Sequence, residues 1–219
     1  METVTEYLSA ARKARKEDNI VEAKRQYELV LASEENCFYN EARFFVAFYD
    51  ILAANASEVY DIYMGFSEVI LLTLIGFKGL DMDEEEKAEL LTDMSFAVRS
   101  LPRKVYSKLL SDNSTKEDQE KILSVNRSSI GNLYLFGDML ESEYDSELED
   151  STAKITAIGM WKAGIELQRK WCAVGFEKNA PREYEKKIKK YDSSYVLPKE
   201  NIFRKIWGYI LVSASKNHK

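Results

Sequence analysis

Residues 7–31 read YLSAARKARKEDNIVEAKRQYELVL, which is the pattern of two short helices folded onto each other. Small residues, a turn and an aromatic residue occupy matching positions: Ala11 and Ala14 on the first helix, Asp18 and Asn19 in the turn, Ala23 and Tyr27 on the second helix. Small side chains let two helix backbones approach closely, and the aromatic ring fills the wedge beside them. The stretch therefore predicts a helical hairpin near the N-terminus.

The composition and apolar spacing of the rest of the chain also favour helices. Of its 219 residues, 45% are hydrophobic, while only 3 are proline and 9 are glycine. Apolar residues recur at spacings of three and four, which is typical of amphipathic helices. We expect an all-α fold, in which one or more tetratricopeptide-like N-terminal hairpins pack on a bundle of long antiparallel helices.

The predicted helices divide the chain into regions. They cover about 3–17, 20–33, 39–54, 57–77, 83–109, a stretch from the polar turn at 111–114 to 144, 151–178, 181–190 and 200–213. We predict a single all-α domain over 1–178, with a hairpin and a half in 1–55 and a long-helix bundle in 56–178. Residues 179–219 form a basic C-terminal segment with a short helix and a terminal amphipathic helix.

Three details of the bundle can be predicted from local patterns. The 57–77 helix is apolar on most sides, which favours the interior. Pro102 either kinks one long helix or begins a second one, and we favour the kink. Gly159 and Gly164 are expected to allow a close helix crossing.

Charge is distributed unevenly along the chain, whose net charge is −6. Residues 1–150 carry 16 Lys/Arg and 31 Asp/Glu, a net charge of −15, whereas residues 151–219 carry 15 and 6, a net charge of +9. Such a split can indicate an anionic partner for the basic part. The alternative is internal, with the basic third docked beside the acidic helices of the same chain.

Few side chains suit catalysis or metal binding. Cys37 and Cys172 belong to no spaced cluster, and the single histidine is His218, so a zinc site or a Ser–His–Asp triad is not expected. We interpret the acidic runs at 81–86 and 145–150 as solvated. The sequence thus predicts a protein that is not an enzyme and has no cofactor or metal. A pair of catalytic carboxylates remains an alternative, since such pairs have no sequence signature.

Four strings resemble an uncharacterised family of bacterial proteins, found largely in Firmicutes: ARKARKEDNIVEAKRQYELVL, NEARFFVAFY, MWKAGIELQRKW and EKKIKKYDSSYVLP. In that family a tetratricopeptide-like helical region often follows an N-terminal zinc ribbon. The resemblance covers roughly residues 5–198, and the paired cysteines of a ribbon do not precede Tyr7 here. It implies a helical fold and a bacterial origin, and no established activity.

The leading functional hypothesis is a cytoplasmic, non-enzymatic scaffold that binds a protein or peptide. Its N-terminal hairpin would form a groove for a partner helix, with Arg43, Phe44, Phe48 and Tyr49 as contact residues.

The alternative hypothesis is a peripheral protein at the inner face of the membrane. The residues that would contact an anionic surface are Lys186, Lys187, Lys189, Lys190, Arg204, Lys205 and Trp207. The 200–213 segment could instead dock on its own domain, which we favour, or on another protein. A sequence pI near 5.1 argues against a dedicated nucleic-acid binder.

Overall fold

The computed structural model of this protein describes residues 3–33, 39–110, 116–145, 151–170 and 179–198. The predicted all-α class is confirmed, since these residues form helices and contain no strand. The α-helices are α1 (Val4–Lys16), α2 (Ile20–Ala32), α3 (Tyr39–Ala53), α4 (Val59–Met64), α5 (Phe66–Leu74), α6 (Glu84–Leu109), α7 (Lys116–Tyr144), α8 (Thr152–Lys170) and α9 (Ala180–Tyr191). A short 3₁₀ helix, Phe77–Gly79, follows α5.

Local capping explains where the hairpin begins and turns. The Thr3 hydroxyl accepts a hydrogen bond from the Glu6 amide, and the Glu6 carboxylate accepts one from the Thr3 amide, which together form a capping box at the start of α1. Asp18 adopts a left-handed φ of 58° in the turn. The Asn19 side chain then accepts from the Glu22 amide and caps α2.

The interior of the hairpin matches the sequence prediction. Ala11, Ala14 and Ala23 are buried where α1 packs on α2. Tyr27 is fully buried and stacks on Phe45 of α3, with ring centroids 5.3 Å apart. The second helix of the hairpin is thus joined to α3 by aromatic packing.

The predicted 57–77 helix is interrupted in the structure. Gly65 separates α4 from α5, although its φ of −76° and ψ of −11° stay in the right-handed helical region. Gly76, with a left-handed φ of 72°, then ends the apolar stretch, and its amide donates to Glu143 at 2.9 Å. This conformation favours glycine because it has no Cβ.

Pro102 does not interrupt α6. The helix begins at the N-cap Asp83, whose carboxylate accepts from the Glu86 amide at 2.8 Å, and it continues past the buried Pro102 to Leu109. The prediction of one helix through this proline is confirmed. Pro102 removes one backbone hydrogen bond from the helix, and the neighbouring Leu101 and Val105 are fully buried.

Helix α7 lies between two groups of helices. Ser129 and Asn132 face α4 and α5, where they bond to Tyr63 at 2.8 Å and Ser67 at 2.7 Å. Asp138 faces α8 and α9. At about 100° per residue, these two sets of positions lie on opposite sides of α7. Helices α4 and α5 are therefore separated from α9 by the width of α7.

Glycines allow α7 and α8 to pack closely. A Cβ atom on Gly137 would lie 2.4 Å from Nε1 of Trp161, and one on Gly164 would lie 2.6 Å from the ring of Tyr134. The predicted close approach at Gly164 is thus confirmed. At Gly159 the same test meets open space, and Gly137 is the second close position.

Several predictions concern residues outside the described ranges. These are the acidic run beyond Asp145, the end of the predicted 151–178 helix with Trp171 and Cys172, and the terminal helix at 200–213. The predicted short helix at 181–190 is confirmed as α9, with Pro181 in its first turn. It packs on α8 and α7, so residues 179–198 continue the helical body.

Candidate interaction surface

The predicted groove residues of the N-terminal region lie in the core. Phe44, Phe48 and Tyr49 are buried, and the rings of Phe44 and Phe66 approach to 5.4 Å. Their apolar surface is covered by the chain itself, so they form no exposed groove. This corrects the sequence prediction for these three side chains.

Arg43 is half-buried and interacts within its own helix. Its Nη2 atom donates to the hydroxyl of Tyr39 at 3.2 Å, and its guanidinium lies 4.8 Å from the centre of that ring. The predicted partner contact at Arg43 is therefore occupied in part by Tyr39.

A buried ionic cluster occupies the region in which the N-terminal groove was predicted. Glu41, whose side chain is 3% exposed, accepts from Arg12 at 2.7 Å, from Arg15 at 3.1 Å and from the Tyr27 hydroxyl at 2.8 Å. Burial, and then the charge of Glu41, raises the pKa of Tyr27 well above its usual range. Tyr27 thus stays a hydrogen-bond donor. Cationic and hydroxyl donors engage both carboxylate oxygens of Glu41, an arrangement that stabilises packing.

The same arginines join the hairpin to α6. Nη2 of Arg15 lies 2.8 Å from Asp93, and Nη1 of Arg12 lies 3.3 Å from the more exposed Glu86. Arg15 also lies over the ring of Phe45, 4.3 Å from its centre. The cluster therefore connects α1, α2, α3 and α6.

The predicted lysine cluster of α9 is largely engaged by the chain itself. Lys187 contacts Asp138 at 2.8 Å and Glu141 at 3.0 Å, and Lys190 lies 3.4 Å from Glu141. Burial lowers the pKa of Lys187, whereas the two carboxylates raise it, and the net direction is upward. Part of the basic third is thus docked beside acidic residues of α7, as the internal interpretation of the charge split expected.

Aromatic side chains hold α9 in this position. Tyr134 and Tyr184 stack with centroids 3.7 Å apart and an interplanar angle of 4°. Asp138 accepts from Nε1 of Trp161 at 2.9 Å and from the Tyr184 hydroxyl at 2.8 Å. Burial, and then Asp138, raises the pKa of Tyr184, so its hydroxyl remains a donor. Ile188 of α9 is buried in the same interface.

The outer side of α9 is basic. Arg182, Lys186 and Lys189 are exposed and follow one another at spacings of four and three. Lys189 also pairs with Glu185 of its own helix at 2.8 Å. Of the residues predicted to contact an anionic surface, Lys186 and Lys189 thus lie on an exposed face. Arg204, Lys205 and Trp207 lie outside the described residues.

An apolar stripe is exposed on α4 and α5. Met64, Leu71 and Ile75 expose 38%, 37% and 50% of their surface. Together with Glu68, which is exposed, they follow spacings of four, three and four, so they share one side of this segment, opposite the buried Phe66 and Ile70. We call these four residues the outer face.

The outer face corrects the prediction that the 57–77 helix lies in the interior. Phe66, Ile70 and Leu74 are fully buried on the inner side of α5, whereas the outer side has no covering helix among the described residues. The acidic residues Asp61 and Glu68 were the sequence signal for an exposed side, because unpaired charges seldom lie in a core.

The described residues provide neither a membrane-spanning helix nor a metal site. No helix there is both long and apolar enough to cross a bilayer. No group of three or more His, Cys, Asp or Glu side chains is placed to hold a metal ion in the same ranges.

Comparison of the chain with family models, with curated proteins and with solved structures finds no match. The resemblance to a bacterial tetratricopeptide-like family therefore stays a prediction.

Proposed function

We propose that this protein is a cytoplasmic, non-enzymatic helical module that binds another protein through the outer face of α4 and α5. The observation that supports the proposal is the exposure of Met64, Leu71 and Ile75 on a helical segment whose opposite side is core. Aligned exposed apolar side chains with charged neighbours are typical of protein contact sites.

The chemistry of the outer face suits a helix as the partner element. Met64 ends α4, Leu71 lies on α5 and Ile75 caps the end of α5. Their side chains share one side of this segment, so a partner helix can pack beside them in the way that helix-in-groove partners do. Glu68 lies on the same side and would face a cation. The ionic groups around Glu41 and Asp138 connect helices of the chain and do not involve this face.

Charge placed on the outer face should abolish partner binding without unfolding the protein. We expect the double variant Leu71→Lys/Ile75→Lys to recover at least tenfold less of its partner proteins from an extract of the native host. Quantitative mass spectrometry measures the recovered amount. Burying one such side chain contributes about 1.5–3 kcal/mol, and about 1.4 kcal/mol is tenfold in affinity.

A matched control is Val21→Lys/Ile155→Lys, which places the same charges on exposed apolar positions of α2 and α8. Both variants should melt within a few degrees of the unmodified chain. Recovery of the same partners by the outer-face variant and by the control would contradict the proposal.

A second candidate function is contact with an anionic membrane surface, and the exposed basic stripe of α9 favours it. Arg182, Lys186 and Lys189 point away from the helix bundle, and each cation near an anionic surface contributes about 1 kcal/mol.

Flotation with vesicles tests this second candidate. Vesicles of phosphatidylserine and phosphatidylcholine should carry the chain upward at low salt, and Arg182→Gln/Lys186→Gln/Lys189→Gln should reduce the floated fraction severalfold. The matched control, Lys13→Gln/Lys16→Gln, lies on α1 and should leave flotation unchanged. Flotation that does not depend on salt or on the α9 stripe would exclude this mode of binding.

A further inference from the structure

A basic and aromatic surface is exposed on α6. Phe96, Arg99 and Arg103 are exposed, and their spacings of three and four place them on one side of the helix. The opposite side carries the buried Leu101 and Val105, and Phe96 exposes 71% of its surface. Among the described residues, neither arginine forms an ion pair or a hydrogen bond. We call Phe96, Arg99 and Arg103 the α6 face.

The composition of the α6 face favours contact with a protein. Aromatic residues and arginine are enriched at the centres of protein interfaces, whereas lysine is depleted there. A guanidinium group that is covered without a partner loses its hydration, which is costly. The occupant should therefore present carboxylates to Arg99 and Arg103 and an apolar surface to Phe96.

The outer face of the same chain has this chemistry. Its exposed apolar residues, Met64, Leu71 and Ile75, lie on both sides of Glu68 along the segment. Asp61 is exposed three residues before Met64 and adds a second carboxylate. The part of the chain that the structure describes provides no ion-pair partner for Glu68. Both faces are exposed in a single copy, so a contact between them requires a second copy.

Axial spacing determines how the two faces fit together. The two arginines lie three and seven residues after Phe96, which is about 4.5 and 10.5 Å along the helix axis. If α6 runs antiparallel to α5 and Phe96 lies between Leu71 and Ile75, the arginines lie about 3 Å to either side of Glu68 along that axis. In the parallel orientation they lie about 12 and 18 Å from Glu68. The spacing therefore favours the antiparallel orientation.

We propose that the α6 face of one copy packs against the outer face of a second copy, with α6 antiparallel to α5. The inference rests on the proposed function, in which the outer face binds a protein, and it identifies a second copy of this chain as one such protein. Each copy uses a different surface toward each of two neighbours. The contact is therefore heterologous and can repeat in a ring or an open chain of copies.

Sedimentation velocity of the full chain over a series of concentrations tests the contact. The unmodified protein should associate as its concentration rises, and less so at high salt, because screening weakens the ion pairs. Arg99→Glu/Arg103→Glu should raise the dissociation constant at least tenfold, and so should Asp61→Lys/Glu68→Lys. Each variant brings like charges together at the contact.

The matched control is Arg182→Glu/Lys186→Glu on α9. It makes the same change of charge at the same spacing of four residues, on exposed positions outside both faces. The control should associate as the unmodified chain does, and all three variants should keep the helical circular dichroism spectrum. If the control loses association as strongly as Arg99→Glu/Arg103→Glu does, net charge and not the α6 face controls it, and the inference fails.

A mixture of the two face variants gives the decisive result. Arg99→Glu/Arg103→Glu keeps its acidic outer face, and Asp61→Lys/Glu68→Lys keeps its basic α6 face, so every contact between the two variants joins opposite charges. We expect the mixture to associate at least tenfold more tightly than either variant alone. Energy transfer between differently labelled copies measures this association. A contact between two outer faces would be insensitive to Arg99→Glu/Arg103→Glu.

Three results would overturn the inference. They are a full chain that stays monomeric at all concentrations tested, an association that ignores Arg99→Glu/Arg103→Glu, and a mixture that associates no better than its components. Each leaves the proposed function standing if Leu71→Lys/Ile75→Lys still loses proteins other than this chain from the extract. Conversely, a restored mixture together with unchanged recovery of other proteins supports the contact between copies and contradicts the binding of other proteins at the outer face.

Discussion

Replacing Glu41 with glutamine is expected to lower the free energy of unfolding by about 3 kcal/mol, because removing one member of a buried ionic group leaves the others uncompensated. Arg12, Arg15 and the Tyr27 hydroxyl all converge on this carboxylate, and glutamine keeps its shape while removing its charge. For a chain of this length the melting temperature should fall by about 6–12 °C, measured by calorimetry or circular dichroism.

Glu86→Gln is the matched control for this prediction. Glu86 also contacts Arg12, at 3.3 Å, but its side chain is about half exposed. An exposed ion pair contributes about 0–1 kcal/mol, so this variant should melt close to the unmodified chain. Equal effects of the two substitutions would show that burial of the Glu41 cluster does not determine its contribution.

Replacing Trp161 with alanine should have an effect of similar or larger size. Trp161 is fully buried between α7 and α9, and its Nε1 atom donates to Asp138. Truncation of a buried tryptophan costs about 3–5 kcal/mol, through lost burial and the space it leaves. Urea unfolding followed by circular dichroism measures this loss.

A substitution at Gly137 gives the Trp161 prediction a second test. In the unmodified chain Gly137→Ala would place a Cβ atom 2.4 Å from Trp161, which should cost on the order of 1–3 kcal/mol. In the Trp161→Ala background the contacts with the ring are absent and only a 3.0 Å approach to the backbone oxygen of Ala157 remains, so the same substitution should cost much less stability. Gly137→Ala should therefore destabilise the unmodified chain markedly more than it destabilises the Trp161→Ala variant.

Gly131→Ala serves as the control, since a Cβ atom there meets open space on the same helix. It should be neutral or stabilising in both backgrounds. If Gly137→Ala destabilises the chain equally with and without Trp161, another contact limits the approach of α7 to α8.

Helix ends and continuity could be predicted from the sequence because they depend on neighbouring residues. The Asp83 carboxylate caps the amide of a residue only three positions away, and the small residues of the hairpin meet across a short turn. Pro102 disrupts a single turn, so the strong apolar pattern on both sides of it was enough to predict one helix.

Which apolar residues are exposed could not be predicted in the same way. Phe44 and Leu71 are equally plausible core residues by type, yet one is fully buried and the other contributes to the outer face. The difference depends on helices from distant parts of the chain, which a local pattern does not contain. Gly137 was missed for the same reason, since its partner Trp161 lies on another helix.

The Glu41 cluster shows a second limit. Glu41 lies in the first turn of α3, where a carboxylate is ordinarily explained by the helix dipole. Its partly buried cationic partners come from α1, 26 and 29 residues earlier in the chain. A long-range ion pair of this kind leaves no periodic pattern, so the groove hypothesis had no competing evidence at this position.

The position of α7 between α4–α5 and α8–α9 has a consequence for how the protein opens. Neither group of helices can detach without exposing one side of α7 to water, so amide protons in the middle of α7 should exchange with solvent only when the whole molecule unfolds. The α1–α2 hairpin packs mainly on α3 and is tied to α6 through the arginine ion pairs. It is therefore the part best placed to exchange its amide protons through a separate, less costly opening.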